Sequence, residues 1–273
     1  MNGYLEALIR LIYPAICGVC ESLLELGEEG ICRACEEGLR NLKFPLEETS
    51  LDIRSESLDE GWALYPYESP VKEIIGAIKF LKKRWLIRIF RDEIKSFMLT
   101  LAGENDYDFL VPIPLDREKL AEREFNQSEL ISHLIRRTGG IPVRTDILRK
   151  RHKTSSQSLL SREERRFNLH GVFGVCSRRH INGKSILLVD DIYTTGATAE
   201  EAARTLKYHG AKRIGLFALA RTELDAESEA PIDIFTKRKF SCAERSTGIT
   251  NALKNWSRVE SNPRCAPQTE RIF

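Results

Sequence analysis

An α/β fold, with an open, mostly parallel sheet flanked by helices, is predicted by three apolar runs and by what separates them. Residues 109–115 (FLVPIPL), 186–189 (ILLV) and 214–220 (IGLFALA) are almost uninterrupted hydrophobic stretches, the mark of strands covered on both faces. Between them lie segments whose apolar residues recur at three- and four-residue spacing, and strands alternating with helices imply parallel crossovers. A chain of 273 residues can bury one sizeable core and a small accessory unit, and 30% charged with 42% apolar residues is ordinary for a globular protein.

In chain order, Leu5, Leu8, Ile9 and Ile12 fall at helical spacing, and Pro14 would stop that helix. Cys17, Cys20, Cys32 and Cys35 follow as two C-x-x-C pairs, a spacing that presents four thiolates to one tetrahedral zinc ion in a closed structural site. Disulfides are the competing use of such cysteines, but no export feature accompanies them. Cys176, Cys242 and Cys265 have no partner at useful spacing. The acidic, irregular stretch 47–60 reads as a linker. Residues 62–67 read as a strand, and Ser69 as the cap of a helix with Val71, Ile74, Ile75, Ile78 and Trp85 inside and Lys72, Lys79, Lys82, Lys83, Arg84, Arg88 and Arg91 outside. That basic face suits phosphates of single-stranded DNA, although a solvated helix face is the commoner meaning of such a run.

The strand at 109–115 runs into Pro112, Ile113, Pro114 and Leu115, a stiff loop whose main chain would meet a pyrophosphate. One helix from about Asp116 to Gly139, with Leu120, Leu130, Ile131, Leu134 and Ile135 inward, should follow; Arg123 to Gln127 lie along it as ligand-orienting or capping residues. Residues 149–171 are basic and serine-rich, the composition of a loop that closes over an anion, with Arg149, Lys153, Gln157 and Arg165 as its candidates and Ser161 with Glu164 as a capping box.

The centre of the chain is 186–198, ILLVDDIYTTGAT. A buried strand ends at Asp190 and Asp191, and Thr194, Thr195, Gly196, Ala197 and Thr198 then form a small hydroxyl-rich turn into a helix. Adjacent carboxylates would repel a bare phosphate but suit a ribose diol or the metal that escorts a pyrophosphate, so the pattern points to a sugar phosphate. A P-loop is excluded, because its frame needs glycine where Arg178 stands.

These residues resemble the 5-phosphoribosyl-1-pyrophosphate (PRPP) signature of type I phosphoribosyltransferases. Together with the four cysteines, Val111 to Leu115, Phe125-Asn-Gln127, Gln157, Arg165, Asn168 and Ala220-Arg221, they resemble the ComF family. The resemblance implies a zinc-ribbon unit at 1–45, a linker at 46–60, a phosphoribosyltransferase-like domain at 61–221 and a tail at 222–273 outside the pattern. It implies a magnesium-dependent enzyme in which Asp190 and Asp191 serve catalysis, the turn binds PRPP and the acceptor is an unknown nucleobase-like nucleophile. It also implies a setting in DNA uptake with single-stranded DNA and a competence helicase as partners. The alternative is a non-catalytic PRPP- or nucleotide-sensing module with the same partners. One departure is Glu124, where the family's R-G-F-N-Q string has glycine. No apolar run approaches bilayer length, and Glu6 and Arg10 interrupt the opening stretch, so neither a signal peptide nor membrane insertion is expected, and the expected location is the cytoplasm.

Overall fold

The computed structural model describes residues 13–53, 55–101, 106–151, 171–176 and 181–222. Four strands, β1 (Glu60–Pro66), β2 (Phe109–Pro112), β5 (Ser185–Tyr193) and β6 (Arg213–Arg221), form one sheet in the order β1-β6-β5-β2. Every pairing in it is parallel. The expected α/β fold with a parallel sheet flanked by helices is therefore what the chain adopts.

The helices follow the apolar spacing. They are α1 (Arg33–Leu42), α2 (Val71–Phe80), α3 (Arg91–Leu101), α4 (Arg117–Arg123), α5 (Gln127–Gly139) and α6 (Ala197–Tyr208). Successive residues of a strand face opposite ways, and the two cores obey this. Leu187, Val189, Phe217 and Leu219 pack against α2, α3 and α5, whereas Ile186, Leu188, Leu216 and Ala218 pack against α6 and a small antiparallel pair, β3 (Leu148–Lys150) and β4 (Phe173–Val175). Residues Leu187, Leu188 and Val189 have no exposed surface, so removing either leucine side chain would cost about 2–5 kcal/mol.

Several details differ from expectation for identifiable reasons. Residues 47–60 do not form a free linker: Leu51 and Leu58 are buried in the second core, and the Leu51 amide bonds the Gly61 carbonyl. Ser69 is not a cap, because α2 begins only at Val71 and the first-turn amide of Lys72 bonds the Glu68 carbonyl. After α2 the backbone turns left-handed at Lys82 (φ 54°), and a 3-10 segment, Arg84–Phe90, supplies Leu86, Ile87 and Phe90 to the core in place of Trp85, which is 45% exposed.

The single helix expected from Asp116 to Gly139 is two, split where Glu124 adopts φ 68°, and Leu120 on the short first helix is exposed. Strand β5 does not stop at the acids. Its ladder with β6 continues through Asp190–Ala218 and Tyr193–Arg221, whereas its ladder with β2 ends at Val189. The acids therefore lie on a strand with one paired and one open edge.

Among the described residues no helix is long and apolar enough to cross a membrane. The leading helix expected near residues 5–12, the capping box at Ser161, and the candidates Lys153, Gln157 and Arg165 lie outside the described residues.

Candidate functional site

The carboxyl ends of the parallel strands gather the predicted residues at one edge of the sheet, where ligands of open α/β sheets bind. Asp190 and Asp191 are each held by one oxygen. Asp190 Oδ1 accepts from Ser128 Oγ (3.1 Å) and from the Asp191 amide (2.9 Å). Asp191 Oδ2 lies 2.7 Å from Lys79 Nζ, with both side chains about 15% exposed. Asp190 Oδ2 and Asp191 Oδ1 make no bond among the described residues. Burial, then the neighbouring Asp191 charge, pushes the Asp190 carboxyl up to about 7.

The turn that follows is shaped by Gly196. Its φ of 74° is the left-handed region, and a Cβ there would stand 2.6 Å from the Tyr193 hydroxyl, so glycine is required on both counts. The turn feeds directly into α6, whose first residue is Ala197. The Ala197 amide makes a long 3.4 Å contact with Thr195 Oγ1; those of Thr195, Gly196, Thr198 and Ala199 have no partner among the described residues. Unpaired amides at a helix N-terminus, with Thr194, Thr195 and Thr198 in the same turn, have the chemistry that suits an anion.

The loop after β2 is more frugal with donors than expected. Pro112 and Pro114 have no N–H, and the Ile113 amide donates to the Val189 carbonyl (2.9 Å), which leaves Leu115 as the main-chain donor of the four. The Ile113 carbonyl accepts from Asn126 Nδ2 (2.9 Å), while Asn126 Oδ1 caps α5 through the Ser128 amide (3.1 Å). Asn126 is thus a capping residue, and it ties the loop to the helix that supports Asp190. Gln127 accepts from Arg123 (3.3 Å), and its buried Nε2 has no partner among the described residues.

Two lysines escape the sequence reading. Lys79, assigned there to an outer basic face, turns toward Asp191 instead. Lys150, at the end of β3, is largely buried 3.7 Å from Asp116; burial pushes its ammonium down, while Asp116 and Asp190 act against that. Asp116 is held below the usual carboxylate range: burial opposes this, but the Lys119 amide and Lys150 outweigh it. Lys150 therefore lies close enough to Asp116 and Asp190 to interact with both charges. Arg149, its exposed neighbour in β3, points away by strand alternation.

In the N-terminal part of the chain Cys17, Cys20, Cys32 and Cys35 bring their sulfurs within 4.8 Å of one another. Zinc–sulfur bonds of about 2.3 Å in a tetrahedron demand sulfur separations of about 3.8 Å, so the cluster fits a metal ion. Cys17 Sγ also accepts from the Val19 (3.4 Å) and Cys32 (3.3 Å) amides. Burial raises the Cys32 and Cys35 thiols, which a bound cation would reverse; at Cys20 burial is outweighed by bonds from Ser22, bringing it to about 7. Cys17, Ile31, Cys32 and Leu39 share a core with Leu86 and Leu64.

Comparison with known proteins agrees with this geometry. A model of the phosphoribosyl transferase domain matches residues 128–250. Competence protein F of Haemophilus influenzae is 26% identical over 225 residues, covering 75% of this chain and 96% of that protein. Competence protein ComFC of Bacillus subtilis is 28% identical over 216 residues, 78% of this chain and 81% of that one. The DNA utilization protein YhgH of Escherichia coli is 27% identical over 228 residues, 78% of this chain and 99% of that one. An adenine phosphoribosyltransferase structure overlaps 51% of this chain and 74% of its own at 16% identity, with a TM-score of 0.33, and the fold assignment rests on the sheet itself. The chain is thus similar to competence protein F, ComFC and YhgH over most of its length, and residues 128–250 match a phosphoribosyl transferase domain.

Proposed function

We propose that this protein is a PRPP-binding phosphoribosyltransferase. The observation that carries the reading is the pairing of two features on one strand–turn–helix: unpaired amides from Thr195 to Ala199, and two adjacent carboxylates each keeping one oxygen unbonded. The first suits a 5-phosphate and the second the two hydroxyls of a ribose. In this reading Leu115, Lys150 and the 112–115 loop receive the pyrophosphate, which magnesium accompanies and neutralises. Departure of pyrophosphate leaves positive charge at the sugar C1, and the carboxylates beneath it stabilise that charge without moving a proton. The acceptor is a nucleobase-like nitrogen nucleophile. The four cysteines hold a structural zinc that stiffens the unit packed on Leu86.

The relatives' names, competence and DNA utilization, support a setting in the uptake or use of DNA; single-stranded DNA and a helicase as partners, and a cytoplasmic location, are part of the proposal. A sensing module that binds PRPP without turnover is the second reading, favoured by Glu124, which stands where the ComF pattern has glycine.

Calorimetry with PRPP and magnesium, followed by pyrophosphate release across a panel of bases, separates these. Binding with release for one base supports the enzyme; binding with no release for any base supports the module; no binding removes both.

A further inference from the structure

Two carboxylates on consecutive residues repel one another, and burial of Asp190 raises the cost. Something must offset this if both are to act as anions. The charged groups facing Asp190 are Asp191 on its own strand, Lys79 from α2 and, more remotely, Lys150 from β3; Ser128 of α5 adds a hydroxyl. Tyr67, at the end of β1, faces Asp191 and has its phenol raised by burial and then by the Asp191 and Glu73 charges. Lys79 is the cation in direct contact, 2.7 Å from Asp191 Oδ2.

We propose that Lys79 is the positioning residue of the diol site: it pins one oxygen of Asp191 and neutralises one of two adjacent charges, so that Asp190 and Asp191 each offer a free oxygen to a vicinal diol. The proposal deepens the phosphoribosyl reading and rests on it. The geometry supports the assignment in a second way. Asp191 Oδ1 makes no bond among the described residues while Oδ2 is occupied, and Asp190 Oδ2 likewise makes none while Ser128 and the Asp191 amide bond Oδ1. A lysine placed only for packing would have no need to end on the carboxylate, since its four-carbon stem can lie on the apolar surface and release its head to water.

The test uses the full chain with Lys79→Met and Lys79→Arg, and ribose 5-phosphate or PRPP with magnesium as probe. Lys79→Met should weaken binding about tenfold at pH 7, with the deficit shrinking as pH rises to 8.5 and Asp190 ionises without help; Lys79→Arg should restore affinity to within about threefold. Unchanged affinity in Lys79→Met, or a deficit that stays constant across pH, overturns the role. Carbon-13 carboxyl shifts of Asp190 in the free protein decide independently of any ligand. The titration midpoint should rise in Lys79→Met and return in Lys79→Arg, and no movement in Lys79→Met overturns the proposal. Should the wild type bind neither probe while that midpoint moves, the phosphoribosyl reading fails and the charge-neutralising role of Lys79 stands.

Discussion

Lys82, two residues past the end of α2, and Glu124, the C-cap of α4, both hold left-handed backbone (φ 54° and 68°) and form an ion pair with each other. The same two loops are crossed by Arg123 over the Phe80 ring (5.7 Å) and Arg84 over the Phe125 ring (5.4 Å). Phe80 adjoins Lys79, which meets Asp191, and Phe125 stands three residues before Ser128, which meets Asp190. The clasp therefore links the supports of the two acids.

Glycine at 124 tests the backbone part of this clasp. A non-glycine residue in the left-handed region is strained, and the Lys82 pair is too exposed to repay much of it. Glu124→Gly should leave the melting temperature equal or raise it by up to roughly 4 °C. A fall in melting temperature would mean that the ion pair dominates.

Acid–base linkage at Asp190 makes a second prediction. Its folded-state value of about 7 lies above the ordinary 3.8, so the folded protein holds an extra proton between those values. That stability is fully present below the unfolded value and is lost as pH rises through about 7. Asp190→Asn keeps an oxygen for Ser128 and cannot ionise, so it should match the wild type near pH 4 and melt higher at pH 8, by up to roughly 10 °C. Parallel melting curves for the two proteins at all pH values would contradict the raised carboxyl.

Metal removal probes the cysteine cluster. Elemental analysis should find about one zinc per chain, and a strong chelator should lower the melting temperature and release metal more readily as pH falls and protons compete for the thiolates. Because Cys32 and Leu39 share a core with Leu86, the loss should also loosen the 3-10 segment, read as faster amide exchange at Leu86 and Phe90. A metal-free protein with unchanged melting would refute a structural ion.

Gly196→Ala isolates the turn. A Cβ at φ 74° is strained and would press within 2.6 Å of the Tyr193 hydroxyl, so a loss of about 1–2 kcal/mol in stability is expected, with a larger loss of affinity for ribose 5-phosphate because the amides would be displaced. Retained affinity would place the phosphate elsewhere.

The sheet was legible in the sequence because strands buried on both faces leave continuous apolar runs, and Ile186 to Val189 is such a run. The acids and the turn were legible through order and spacing, and the cysteines through paired C-x-x-C. Lys79 was not, because periodicity assigns charges to the solvent side by default. It adjoins Ile78 and follows Ile75 by one turn, at the margin of the apolar stripe, and only the packing of α2 across β5 brings it to Asp191. Lys150 was lost in a run of basic residues, where alternation in a three-residue strand is too short to read. The 47–60 stretch misled through its acids; Leu51 and Leu58 are only two buried anchors in it, without a period.

The most direct test of the central claim is a crystal structure of the protein with PRPP and magnesium. The account predicts the 5-phosphate within about 3 Å of the Thr195 to Ala199 amides and the ribose hydroxyls on Asp190 Oδ2 and Asp191 Oδ1. A phosphate bound away from that turn, or acids that do not touch the sugar, would contradict it.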